Sequence, residues 1–228
     1  VEQAFSLTCN DAVAWLYHRP SESVDLLITD PAYESIEKHR KRGTTTRLTH
    51  SKGSSNDWFK VFPNDRLAGL MLECYRVLKS NNHLYVFCDQ ETMFLIKPLG
   101  EKVGFKFWKP LVWDKGKIGM GYHYRARYEL ILFFEKGKRK LNDLSIPDVL
   151  AYDRIFGGYP TEKPVDLLKV LVRQSSTEGD LVADPFCGSG STAVAAIELG
   201  RKFAGCDLSQ DAISTSTTRA KAASQKAQ

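Results

Sequence analysis

The chain has 228 residues, 43% hydrophobic and 26% charged, with a formal net charge of +5. That is the balance of an ordinary globular protein with one sizeable core. No apolar run approaches the ~20 residues a bilayer-spanning helix requires, which argues against a membrane anchor. The opening VEQAFSLTCNDAV carries neither a basic leader nor a long apolar segment, so a cytoplasmic address is the default expectation. Five cysteines without a C-x-x-C pair argue against a disulfide framework and a zinc site, the five histidines have no ligand spacing, and no metal is expected.

In chain order, AFSLTC, VDLLIT, HLYVFC and DLVAD are short apolar runs of the kind that fill central parallel strands buried on both faces. Helical segments alternate with them: NDAVAWLYH after the first, RLAGLMLECYRVLKS before the third, and STAVAAIELG after the fourth, with Gly200 at its C-cap. This is an α/β pattern in one domain, 1–228. FKFWKPLVWDK and ELILFFEKG, joined by a long glycine-containing turn, predict a hairpin at a sheet edge, with Trp108 and Trp113 expected in the core. The following KRKLNDLSIPDVLAYDRIFGGYP is polar and weakly patterned, a candidate recognition insertion or partner contact. The Ala/Ser/Lys-rich tail from Ser214 reads as a helix fraying at its end.

Two stretches carry chemistry. In DLVADPFCGSGSTAVAAIELGRKFAGCDLS, a strand ends at Asp184, the loop Gly188-Ser189-Gly190 turns tightly with backbone N–H groups free to face a ligand, and a helix starts at Ser191 or Thr192. The next strand ends in Asp207, placed to accept from ribose hydroxyls. The glycine spacing also fits a dinucleotide fingerprint. Asp184 directly before the turn would repel a pyrophosphate but welcome a cationic sulfonium amino acid, which favours S-adenosylmethionine. In LLITDPAYES, an apolar ladder ends in Asp30, Pro31, Ala32 and Tyr33, and a basic run follows with Lys38, Arg40, Lys41, Arg42, Arg47 and Lys52.

DPFCGSGST resembles the D-P-F-x-G-S-G-T-T cofactor loop, and TDPAY the D-P-P-Y catalytic motif, of the DNA amino-methyltransferases that modify exocyclic nitrogens. PTEKPVDLL resembles the T-x-K-P-x-x-L segment before that loop, and LTCNDAVAWL the family's first-strand segment. With the catalytic motif first, the order resembles the beta group. The resemblance covers nearly the entire chain and implies a Rossmann-like methyltransferase fold: a circularly permuted, mixed seven-stranded sheet with helices on both faces. AFSLTC should then lie beside KFAGCD, and the two termini close together.

The implied activity is transfer of a methyl group from S-adenosylmethionine to adenine N6 in DNA. Asp30 and the Pro31 carbonyl accept from the amino group, and Tyr33 stacks on a base flipped out of the duplex. Asp11, Asp30, Thr161, Lys163, Asp184, Phe186, Cys187, Gly188, Ser189, Gly190, Ser191, Asp207 and Leu208 are the implied cofactor residues. Asp11 as an N-cap, and Thr161 and Lys163 as caps near Pro164, are the competing structural roles. The six basic residues after Tyr33 would hold phosphates, with DNA-recognition loops at about 34–57 and 136–158 and room for a homodimer. Cytosine N4 is the alternative target. A catalytically silent nucleic-acid-binding relative and a dinucleotide-binding oxidoreductase are the alternatives of other classes, disfavoured by Asp30 with Tyr33 and by the Asp184-Pro185-Phe186 lead-in. The family usually has a second proline at position 32, so Ala32 predicts a more mobile catalytic loop.

Overall fold

The computed structural model describes residues 4–35, 60–119, 124–156 and 161–226. Eight strands form one mixed sheet: β1 (Phe5–Cys9), β2 (Val24–Thr29), β3 (Leu78–Cys88), β4 (Lys106–Asp114), β5 (Tyr128–Lys136), β6 (Val149–Ala151), β7 (Leu181–Asp184) and β8 (Lys202–Asp207), in the spatial order β1-β8-β7-β2-β3-β5-β4-β6. Among the described residues the α-helices are α1 (Ala12–Tyr17), α2 (Leu67–Val77), α3 (Gln90–Val103), α4 (Val165–Ser175), α5 (Ser191–Glu198) and α6 (Gln210–Lys226). The strand beyond the expected seven is the three-residue β6, which lies parallel to β4 at the edge. Its brevity kept it below the threshold of a pattern reading.

The central runs are apolar throughout because both faces are covered. Val24 and Leu27 of β2 pack with Leu70, Met71 and Ile96 on one face, while Leu26 and Ile28 pack with Leu167, Leu171 and Ala196 on the other. In β3, Leu84 and Val86 join the first cluster, and Tyr85 and Phe87 the second. Successive strand side chains point to opposite faces, so α1–α3 cover one side and α4–α6 the other. Burying such a side chain contributes about 1.5–3 kcal/mol. The expected hairpin is β4–β5, and β6 covers its outer edge. Trp113 is buried, with Nε1 donating to the Tyr152 carbonyl at 2.7 Å. Trp108 is half-exposed instead, its ring under Lys106 Nζ at 3.6 Å and its Nε1 on Glu135 Oε2 at 3.0 Å. Trp108 is the extra residue at the register shift between Phe107 and Lys109, where regular pairing of β4 with β5 is interrupted.

β1 lies parallel to β8, Phe5 opposite Phe203 and Cys9 opposite Asp207, as the permuted order requires. The extreme termini, expected close together, fall outside the described residues. The tail from Ser214 is helical, as its composition suggested. α6 continues to Lys226 because Ala212, Ile213, Ser216, Ala220 and Ala223 form a buried stripe at helical spacing. Its small residues let α5 approach closely: a Cβ built on Gly190, which has φ +81°, would lie 2.6 Å from Ser216 Cβ. None of the described helices is long and apolar enough to cross a membrane.

Candidate active site

Strands β1, β8, β7, β2, β3 and β4 run in one direction and β5 in the other. Their C-terminal ends and the start of β5 therefore meet at one edge of the sheet, where open α/β sheets form their ligand crevices. A cavity of 790 Å³ lies there. Asp30, Pro31, Tyr33, Thr161, Lys163, Asp184, Phe186, Cys187, Gly188, Ser189, Ser191, Asp207 and Leu208 line it, while Asp11 and Gly190 do not. Lys38, Arg40, Lys41, Arg42, Arg47 and Lys52 lie outside the described residues, as does most of the 34–57 loop.

The catalytic-type loop is pinned in two ways. The Ala32 carbonyl accepts from the Phe62 N–H at 2.7 Å, and Tyr33 bridges Phe62 in parallel fashion. Phe62 in turn packs edge-on against Phe186, with ring centroids 5.1 Å apart. Backbone pairing and an aromatic contact to the cofactor-type loop thus take over the stiffening that a second proline would supply.

Asp30 does not stand alone. One of its carboxylate oxygens pairs with the Lys163 ammonium, and the other accepts from the Tyr33 hydroxyl at 3.2 Å. Lys163 also reaches Glu129 Oε1 at 3.2 Å, Lys115 holds Glu129 Oε2 at 2.7 Å, and the Tyr33 hydroxyl lies 3.4 Å from Glu129 Oε1. Burial pushes Asp30 above the ordinary carboxyl range against the pull of Lys163, with the Glu129 charge adding to the rise. Burial would raise Glu129 too, but Lys163 and Lys115 together outweigh it and hold its carboxyl low. The two acids keep Lys163 protonated despite its burial. Lys163 thus lines the cavity with its ammonium bonded to both acids. Thr161 sits beside it with φ 61°, a left-handed conformation costly for a β-branched residue.

Around the glycine loop, the Cys187 N–H donates to the Cys206 carbonyl at 2.9 Å, Gly188 N–H to Asp207 Oδ2 at 3.1 Å, and Gly190 N–H to the Cys187 carbonyl at 2.8 Å. These three amides are bonded within the protein. They shape the loop and hold Asp207. Gly190 lets α6 approach through Ser216. Asp184 is buried, accepting from Phe186 N–H at 2.9 Å and Thr192 Oγ1 at 2.8 Å, and burial raises its carboxyl to about 7. Burial lifts Asp207 as well, and it too is held by backbone N–H groups. Asp30, Asp184 and Asp207 thus end β2, β7 and β8, three neighbouring strands, and no cation pairs with the last two among the described residues. Burial drives the Cys187 thiol well up, which disfavours its thiolate.

Asp11 is engaged within the protein. It caps α1 through Val13 and Ala14 N–H, each at 3.1 Å, and forms a fork with Arg66, at 2.8 and 2.7 Å, that holds its carboxyl low. Its neighbours Asn10 and Ala12 line the cavity in its place. Of the 136–158 segment, Arg154 and Ile155 reach the cavity. The stretch around Asn142 is bonded to the C-terminal end of α4, with Nδ2 on the Arg173 and Ser176 carbonyls at 2.6 and 2.9 Å, at the opposite edge of the sheet.

Residues that sequence reading missed complete the site: Glu129, Lys115, Phe62, Arg66 and Arg219. Arg219 of α6 donates to the Ser189 carbonyl and Oγ, both at 2.9 Å, and pairs with Glu162 at 2.7 Å, tying the glycine loop to the segment that carries Lys163. A charged residue opening a buried run, as Glu129 opens ELILFF, is the one local signal that was available.

The DNA methylase family profile for N6 and N4 enzymes matches residues 24–155 and 145–218. The chain belongs to this family of DNA amino-methyltransferases. Among its relatives is the DNA adenine methyltransferase YhdJ of Escherichia coli (strain K12), 29% identical over 97% of this chain and 84% of that protein. The fold is similar to the crystal structure of the M1.HpyAVI–SAM complex, with a TM-score of 0.70, 22% identity, and 94% and 99% of the two chains covered. It is also similar to PvuII DNA methyltransferase (cytosine-N4-specific), with a TM-score of 0.73, 15% identity, and 94% and 86% covered. Methyltransferases of this family draw their methyl group from S-adenosylmethionine and act on DNA.

Proposed function

We propose that this methyltransferase acts on adenine N6, with Asp30 and the Pro31 carbonyl as the acceptors for the target amino group. The observation that carries the reading is the placement of Asp30: it ends β2 at the floor of the cavity, kept ionisable by Lys163 and oriented by the Tyr33 hydroxyl. The amino lone pair of adenine is delocalised into the ring. Two acceptors drawing on its N–H bonds turn the nitrogen toward a tetrahedral, nucleophilic geometry, and Asp30 is positioned to take the proton the nitrogen gives up. The name of the relative YhdJ, and an aspartate at position 30 where cytosine-N4 enzymes more often carry serine, support adenine over cytosine.

The donor set fits S-adenosylmethionine, which supplies an activated methyl group when bound. Asp184 is a buried and Asp207 a partly buried carboxyl, each answered by neutral N–H and O–H donors alone, so a cationic ligand meets an uncompensated demand. Asp184 suits the amino-acid end and Asp207 the ribose hydroxyls, with Phe186 and Thr161 closing the sides. Tyr33 would offer its ring to the flipped base, its hydroxyl held at the two carboxylates. Lys117 and Arg154 flank the exposed Phe156 ring at 6.0 and 5.6 Å near the cavity mouth, a cation-and-aromatic rim suited to phosphate and base contact. A homodimer belongs to the same proposal, because the short recognition segments of one chain leave room for a second subunit.

The test uses labelled S-adenosylmethionine and two DNA substrates, one lacking adenine and one lacking cytosine. Label in the cytosine-free DNA alone is the expected result. Label in the adenine-free DNA alone would reassign the target to cytosine, and label in neither would favour a silent relative. Asp30→Ala should abolish transfer while cofactor binding stays measurable by calorimetry.

A further inference from the structure

We propose that Glu129 is a positioning residue for methyl transfer: it draws the Lys163 ammonium partly away from Asp30 and gives the Tyr33 hydroxyl a second acceptor, so that Asp30 remains a strong acceptor at a set angle. The inference rests on the reading of Asp30 as the amino-group acceptor. Glu129 is the second residue of an antiparallel strand whose next residues, Leu130 to Phe134, fill the two cores. A carboxylate in that place, with its side chain 15% exposed, adds nothing to packing and is costly to bury. The cost is offset by two lysines, one of which belongs to Asp30.

Without Glu129, Lys163 would pair with Asp30 alone. A buried carboxylate fully engaged with one ammonium is a poor hydrogen-bond acceptor for anything else. With Glu129 present, one ammonium bridges two acids, and Lys115, seated over the Trp113 ring at 4.8 Å, balances the second negative charge from the other side. Tyr33 Oη lies between the two carboxylates at 3.2 and 3.4 Å and can donate to one at a time, which fixes the ring over the cavity without locking it to Asp30.

The charged and titratable groups around Asp30 are these. Lys163 faces it from the segment before α4, Glu129 from β5 with Lys115 behind it, and Tyr33 from its own loop. The Cys88 thiol, driven up by burial and therefore neutral, and Asp89 end β3, and Asp184 ends β7. Asp89 is engaged with Ser35 Oγ at 2.5 Å and Thr92 N–H at 2.8 Å. Asp184 titrates near neutrality but acts on cofactor binding, so kcat at saturating S-adenosylmethionine isolates Asp30.

Glu129→Gln keeps the shape and removes the charge. A unit charge two hydrogen bonds away moves a carboxyl by about one to two pH units. The acid limb of kcat should therefore move to lower pH by about that amount, and the plateau should fall roughly tenfold, with the cofactor and DNA dissociation constants unchanged. Lys115→Gln removes a positive charge on the far side of Glu129 and should move the limb to higher pH. Misfolding would not produce opposite shifts from two neighbouring variants.

An unmoved limb in both variants would overturn the proposal, as would a loss confined to cofactor affinity in Glu129→Gln. Failure of the underlying reading looks different: the wild-type profile would lack a carboxyl limb, and Asp30→Asn would stay active.

Discussion

Asp184→Asn separates folding from function at a single buried atom pair. In the cofactor-free protein the carboxyl is raised by burial to about 7, although Phe186 N–H and Thr192 Oγ1 both donate to it. The unfolded chain would titrate near the ordinary 3.8. Between these values the folded state binds the extra proton, so this group's contribution to stability falls as pH rises from about 4 to about 7 and is then flat. At pH 8 the ionised carboxylate costs the fold about 4 kcal/mol, taking 1.36 kcal/mol per unit as the conversion.

An asparagine keeps an oxygen for the Phe186 N–H, and its amide can meet the Thr192 hydroxyl as donor. At pH 8 the variant should be more stable than the wild type, by several degrees in Tm at roughly 2–4 °C per kcal/mol for a chain of this size, and its excess should vanish near pH 4. Cofactor affinity should move the other way, dropping at least tenfold in calorimetry because the ammonium loses its counter-charge. Wild-type binding near pH 7 should release a fraction of a proton, visible as a dependence of apparent enthalpy on buffer, and the variant should not. An Asp184→Asn protein that melts lower at pH 8 and binds S-adenosylmethionine as before would refute this account of the site.

Three further substitutions probe the scaffold. Ala32→Pro should change kcat and cofactor affinity less than twofold in steady-state assays, because the Phe62 N–H already pins the Ala32 carbonyl. Gly190→Ala, at φ +81° and pressed against Ser216, should destabilise by about 2–4 kcal/mol in denaturant titrations. Arg219→Ala should weaken cofactor binding by about 1–2 kcal/mol through the loosened Ser189 loop, with DNA affinity in gel shifts unchanged.

The contiguous parts of the site were legible before any coordinates. Asp30-Pro31-Ala32-Tyr33 and Asp184 to Ser191 each sit within one strand-to-loop transition, and an apolar run ending in an acid marks where a buried strand surfaces. The layered α/β order followed from runs whose side chains must be covered on both sides. The family order placed β1 beside β8, and the register of Phe5 with Phe203 agrees.

What the sequence could not carry were the partners chosen by chain direction and by distance along the chain. Glu129 reaches Asp30 because β5 runs against its neighbours, so its first residues, not its last, arrive at the crevice. Arg66 took the carboxylate of Asp11, and Arg219, in a tail with no local signal, closed the glycine loop. Local sequence determined which residues could be acids, turns and buried strands. The tertiary fold alone decided which charges were buried together, and burial is what shifts their proton affinities and sets what each can do.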